Sequence, residues 1–147
     1  MQSEPITILL VEDEPAHAEI VRRNFETIGI ANTLKHVPDG EAALDYLYHN
    51  NSFSDPAASP RPGLILLDLR LPKVDGLQVL KTIKADHNLN TIPVVVLSTS
   101  ASEADIAMAY SNNANSYLVK PVDFTQFSEL LETLGNYWMT WNRHSIM

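Results

Sequence analysis

Four places in this chain carry side chains suited to handling a charged group: Glu12-Asp13, Asp68, Ser98 and Lys120. Each follows directly on an apolar run. Ile6-Thr7-Ile8-Leu9-Leu10-Val11 runs into Glu12-Asp13-Glu14, and Leu64-Ile65-Leu66-Leu67 runs into Asp68. Ile92-Pro93-Val94-Val95-Val96-Leu97 runs into Ser98-Thr99-Ser100, and Ser116-Tyr117-Leu118-Val119 runs into Lys120-Pro121. Three carboxylates brought to one place repel each other unless a cation joins them. Hard oxygen ligands in an open site suit Mg²⁺, which keeps several of its waters. A lysine adds a point charge and a serine adds a hydroxyl donor. The set fits phosphoryl transfer to a carboxylate: Asp68 attacks, the cation and Lys120 neutralise the phosphoryl oxygens, and the Ser98 hydroxyl binds one of them. Taken singly, Asp13 and Asp68 read equally as helix caps or turn residues, and Lys120 as a solvated strand end. Their combination carries the reading.

The elements that must position these residues are legible from the apolar pattern. The four runs are strands, and the continuous ones are buried on both faces. A weaker strand, Asn32 to Val37, holds Lys35 and His36 and belongs at a sheet edge. Helices alternate with the strands. One runs from Pro15 to about Ile28 and closes at Gly29; proline suits a first helical position. A second follows the Pro38-Asp39-Gly40 turn, with Asp39 as its cap, and a third opens at Asp75-Gly76. A fourth starts at Ser102 and stops at Asn112 or Asn113. The last starts near Asp123, with Phe124, Phe127, Leu131, Leu134, Trp138 and Trp141 along one apolar stripe. Five strand–helix alternations predict an α/β fold, a doubly wound five-stranded parallel sheet of flavodoxin-like (βα)5 type. With the weak second strand at an edge, the expected strand order is 2-1-3-4-5, which brings the four strand ends to one crevice.

The chain has 147 residues and reads as one domain, with a core from about residue 5 to 138. A net charge of −8 argues against a basic nucleic-acid-binding face. With no cysteine, disulfides, thiolate nucleophiles and cysteine zinc sites are excluded. No apolar run is long enough to span a bilayer, and Met1-Gln2-Ser3-Glu4-Pro5 does not open a signal peptide, so the expected location is cytoplasmic. The stretch 50–63, rich in Pro, Ser and Asn, reads as a long inserted loop, either mobile or functional. The histidines His17, His36, His49, His87 and His144 are scattered without ligand spacing and read as surface or core residues.

Glu12-Asp13, Asp68 within Leu-Leu-Asp-Leu-x-Leu-Pro-x-x-Asp-Gly, Ser98 and Lys120-Pro121 resemble, in order and spacing, the receiver domain of two-component response regulators. The resemblance implies that Asp68 is the phosphoacceptor, charged from a phosphohistidine on a sensor histidine kinase. It implies that Asp13, Asp68 and the backbone carbonyl of Arg70 bind Mg²⁺, with Glu12 acting through a metal-bound water. Lys120 would pair with Asp68 or its phosphoryl group. Ser98 and Tyr117 would form the switch pair, the serine moving toward the phosphoryl group and the tyrosine ring turning inward behind it. The family often has two aspartates after the first strand, where this chain has Glu12, and more often threonine than Ser98. Arg70 is large and cationic, able to reach the phosphoryl group or block water. The 50–63 loop and the tail Tyr137-Trp138-Met139-Thr140-Trp141 resemble the single-domain response regulators that partner cyanobacterial phytochromes.

No DNA-binding or enzymatic domain follows the last helix in the sequence, so the expected output is a protein contact. Self-association through the C-terminal helix and the face around Tyr117 is the expected form, with no nucleic-acid or membrane partner and no catalysis beyond the protein's own phosphorylation and dephosphorylation. The alternatives are a phosphorylation-independent interaction module, a Mg²⁺-dependent phosphatase and a flavodoxin-type binding module. The phosphatase pattern wants an aspartate where Arg70 stands. The acidic Glu12-Asp13-Glu14 would repel a phosphate held without a metal.

Overall fold

The computed structural model describes residues 6–27 and 33–138. The strands are β1 (Thr7–Val11), β2 (Thr33–Val37), β3 (Leu64–Leu67), β4 (Val94–Ser98) and β5 (Ser116–Val119). They form one parallel sheet in the order β2-β1-β3-β4-β5, the order expected. Five helices alternate with them: α1 (Pro15–Thr27), α2 (Gly40–Tyr48), α3 (Gly76–Ala85), α4 (Glu103–Ser111) and α5 (Phe124–Asn136). Val11 pairs with Leu67, Leu67 with Val96, and Val96 with Tyr117, so the strands finish close to level.

Every residue of β3 and β4 is buried, which explains why their sequences run apolar without a polar alternate. Successive side chains go to opposite faces. Leu9, Val11, Ile65, Leu67, Val94 and Val96 face one core with Tyr46, Val79, Leu80 and Ile83. Ile8, Leu10, Leu64, Leu66, Val95 and Leu97 face the other with Val21, Phe25, Phe127 and Leu131. Four helices begin on a capping side chain that accepts a backbone N–H: Asp39 for α2, Asp75 for α3, Ser102 for α4 and Asp123 for α5. Asn113, with φ 69°, takes the left-handed turn after α4.

The structure departs from the sequence reading in two places. Residues 50–63 are tied down. A 3-10 turn at Asn51–Phe53 stacks Phe53 on Tyr46, ring centroids 5.4 Å apart. The Tyr46 hydroxyl donates to the Pro60 carbonyl at 2.8 Å, and His49 Nε2 lies 2.8 Å from the Ser59 carbonyl. These backbone groups find partners in α2, so the segment is ordered despite its loop composition. The second departure is Phe124, expected on the packed stripe; it opens α5 ahead of the span that covers the sheet and is exposed. Trp138, two turns after Leu131, returns to the same face and packs on the core, as the stripe predicts. Ile28, Gly29, Asn32, Trp141 and His144 lie outside the described residues, as does the tail beyond Trp138.

Candidate functional site

The sheet's ladder extends one residue beyond three of its strands. Glu12 N donates to Val37 O at 3.1 Å, Asp68 N to Val11 O at 3.1 Å, and Lys120 N to Ser98 O at 2.7 Å. The functional residues are therefore held by the sheet's own hydrogen bonds at its carboxyl edge, where open α/β sheets keep their sites. After Asp68 the chain turns sharply into α3. A Cβ on Gly76 would collide with the Asp68 carbonyl oxygen and with Leu69, so only glycine permits the helix to start this close to the acceptor strand.

Glu12, Asp68 and Lys120 are 1%, 8% and 3% exposed. Charges so deep are tolerated only when paired. The Lys120 ammonium donates to Glu12 Oε1 and, at 2.9 Å, to Asp68 Oδ2. The remaining carboxylate oxygens are occupied as well: Glu12 Oε2 accepts from Glu14 N at 3.2 Å, and Asp68 Oδ1 from Arg70 N at 3.1 Å. Burial pushes the Glu12 carboxyl up to about 7, against the pull of the Lys120 ammonium. Oxygens of Glu12, Asp13 and Asp68 lie within 4.8 Å of one another. Ligand oxygens on opposite sides of a Mg²⁺ ion are about 4.2 Å apart, so with a small closing of the cluster the donor set suits one hard divalent cation.

Beside the cluster, Ser98 is fully buried and its hydroxyl accepts from Ser100 N at 3.2 Å. The Ser100 hydroxyl donates to Asp105 Oδ2 at 2.6 Å, and the Tyr117 hydroxyl donates to the Ser100 carbonyl at 2.8 Å. Tyr117 thus already leans on the segment after β4, with its ring half-buried against the core. The Arg70 side chain, read as able to reach a phosphoryl group or block water, pairs here with Asp105, Nη2 to Oδ2 at 2.8 Å.

The structure brings Glu12, Asp13, Asp68 and Lys120 together and sets Ser98 on the adjoining strand end. Sequence reasoning missed His17. It was grouped with the scattered histidines, yet its Nδ1 lies 3.1 Å from Lys120 Nζ. Its position four residues after Asp13, in the first turn of α1, was the available signal. Burial, and then the Lys120 ammonium, hold its pKa below the ordinary histidine value.

The sequence profile of the response regulator receiver domain matches residues 8–132. Among relatives, the chain is 47% identical over 140 residues to the probable methanogenesis regulatory protein FilR2 of Methanothrix harundinacea, covering 95% of this chain and 88% of the relative. It is 39% identical over 135 residues to response regulator Rcp1 of Synechocystis, covering 92% and 90%. The Mn²⁺-bound crystal structure of Rcp1 superposes with a TM-score of 0.91 at 38% identity, over 96% of this chain and 99% of that one. The phosphorylated cyanobacterial phytochrome response regulator RcpA superposes with a TM-score of 0.90 at 35% identity, over 96% and 99%.

Proposed function

This chain belongs to the response regulator receiver domain family, whose members signal by phosphorylation, and on that premise we propose that Asp68 is its phosphoacceptor. The observation that carries the proposal is Lys120, buried between Asp68 and Glu12, with an Asp13 oxygen in the same acidic cluster. An Asp68 oxygen attacks the phosphorus of a phosphohistidine on a sensor histidine kinase. The new O–P bond forms as the P–N bond breaks, and the departing imidazole takes up a proton. Lys120 exchanges an Asp68 contact for one to the incoming phosphoryl oxygen, and Ser98 turns its hydroxyl from Ser100 toward another. Mg²⁺ held by Asp13, Asp68 and the Arg70 carbonyl, with Glu12 reaching it through water, would neutralise charge on the transferring group. Tyr117 follows Ser98 as the second half of the switch, releasing the Ser100 carbonyl as its ring turns inward.

The resemblance to Rcp1 and RcpA supports a phytochrome-like kinase as donor. The higher identity to FilR2 favours a second reading, in which the kinase answers a signal other than light. The protein works in the cytoplasm and catalyses only its own phosphorylation and dephosphorylation. Among the described residues no helix is long and apolar enough to cross a membrane. Its output is a contact made by α4, β5 and α5, which expose Met108, Tyr110, Val119 and Phe124. A second copy of the chain is the proposed partner there, and a sedimentation run showing a monomer at all concentrations, phosphorylated or not, would exclude it. The phosphoacceptor reading is tested by intact mass after incubation with acetyl phosphate and Mg²⁺. One phosphoryl group on the wild type and none on Asp68→Asn is expected; equal uptake by both would refute it.

A further inference from the structure

His17 touches the site but has no part in the scheme above. It lies in the first turn of α1, with its side chain 25% exposed, and its ring stands edge-on to Phe127 of α5, centroids 5.7 Å apart and planes at 88°. Phe127 is itself buried in the core, so the imidazole plane is set from α5. An ammonium group can only donate hydrogen bonds. A ring nitrogen 3.1 Å from Lys120 Nζ must therefore accept, which leaves the ring proton on Nε2. The three protons of Lys120 then have three acceptors on three elements of the fold: Glu12 after β1, Asp68 after β3 and His17 in α1.

We propose that His17 is a positioning residue for phosphoryl transfer: its Nδ1 holds the third N–H of Lys120 and so aims the ammonium at the Asp68 oxygen where the phosphoryl group arrives. The inference rests on the reading of Asp68 as phosphoacceptor. A lysine is a point charge on a flexible four-carbon stem, and its direction must come from its acceptors. Two carboxylates alone leave the third N–H of a buried ammonium without an acceptor, a cost that would pull Lys120 off its aim. The neutral ring takes that N–H without competing for the positive charge as a third carboxylate would. It also keeps a hold on Lys120 when the Asp68 contact is given up to the phosphoryl oxygen. A ring that merely filled space beside Phe127 would be replaceable by leucine at no cost to the reaction.

The test compares wild type with His17→Leu, His17→Gln and His17→Asn. Asparagine can place an amide oxygen where Nδ1 sits; glutamine places its amide where Nε2 sits. Uptake from acetyl phosphate with Mg²⁺ is followed by intact mass, and urea unfolding is run on each variant. His17→Leu and His17→Gln are expected to slow uptake roughly 10-fold, the loss of one hydrogen bond to a charged donor, while His17→Asn recovers most of the rate. Nitrogen-15 NMR of the wild-type imidazole should show the proton on Nε2. The inference is overturned if His17→Leu matches wild type, if the proton sits on Nδ1, or if all three variants slow alike in step with lost stability. A wild type that takes up no phosphoryl group sinks the receiver reading itself and this inference with it. A competent wild type matched by His17→Leu sinks this inference alone.

Discussion

The two ends of the sheet solve the burial of polar groups in opposite ways. At the carboxyl end, Glu12, Asp68 and Lys120 are buried ionisable groups satisfied by one another. At the amino end, the inserted segment 50–63 is closed onto α2 and its C-cap by bonds from Tyr46 and His49 to the Pro60 and Ser59 carbonyls, with no carboxylate or ammonium among them. Such bonds ask little beyond geometry, and the segment settles into one arrangement. Ionisable groups that hold each other in place leave the site dependent on its composition, so a change in any partner redistributes the rest. The carboxyl end is built to respond to an added charge, and the amino end is built not to.

Removing the cation should break the responsive end most severely. Lys120→Met leaves Glu12 and Asp68 without their shared donor in a buried site. Unfolding by urea at neutral pH should show a loss of about 3 kcal/mol, and phosphoryl uptake should slow about 10²-fold. Retention of both would mean that the ammonium is not what holds the cluster together. Supplying a second cation should act in the other direction. Mg²⁺ at 100 times its dissociation constant should raise stability by about 2.7 kcal/mol, read as a shift in the thermal midpoint, and Asp13→Asn should remove most of that gain. A midpoint indifferent to Mg²⁺ in the wild type would contradict the fit of the acidic cluster to a metal.

The amino end should yield only to structural changes. Tyr46→Phe strands the Pro60 carbonyl and should cost about 1 kcal/mol while leaving the rate of phosphoryl uptake unchanged. Burial pushes the Tyr46 phenol up to about 12, so it stays a donor across the range in which this is measured. A slowed uptake would show that the two ends are coupled. The smallest effect concerns Asp86, held below its usual carboxylate range first by the Tyr48 hydroxyl at 2.8 Å and then by Asn88 N at 2.7 Å. Its folded value is depressed, so its contribution is present above the unfolded value near 3.8 and lost as pH falls through the folded one. Tyr48→Phe should therefore flatten the acid limb of the pH–stability curve slightly, and the alkaline limb too, because the same bond raises the Tyr48 phenol above its ordinary value.

The contrast also explains what could be read from the sequence. The sheet order and all five helices were legible because apolar runs and capping residues are local signals: Asp39 and Ser102 announce their helices within four residues. The convergence of Glu12, Asp13, Asp68 and Lys120 was legible because strand ends of a parallel sheet must meet. What escaped depends on contacts between distant side chains. Nothing near residue 50 says that Tyr46 and His49 will hold the Pro/Ser segment still. The sequence separation of 103 between His17 and Lys120 hides their contact entirely. The pairing of Arg70 with Asp105, 35 positions further on in α4, is hidden in the same way.

The central claim is that the responsive end is organised around one oxygen-bearing residue, Asp68. Borohydride reduction after incubation with acetyl phosphate and Mg²⁺ tests it most directly, because it converts an aspartyl phosphate to homoserine that tandem mass spectrometry can place in the sequence. Homoserine at position 68, and at no other aspartate, is the predicted result. Homoserine at Asp13 instead, or a protein that gains the phosphoryl mass and shows none at position 68, would contradict the account.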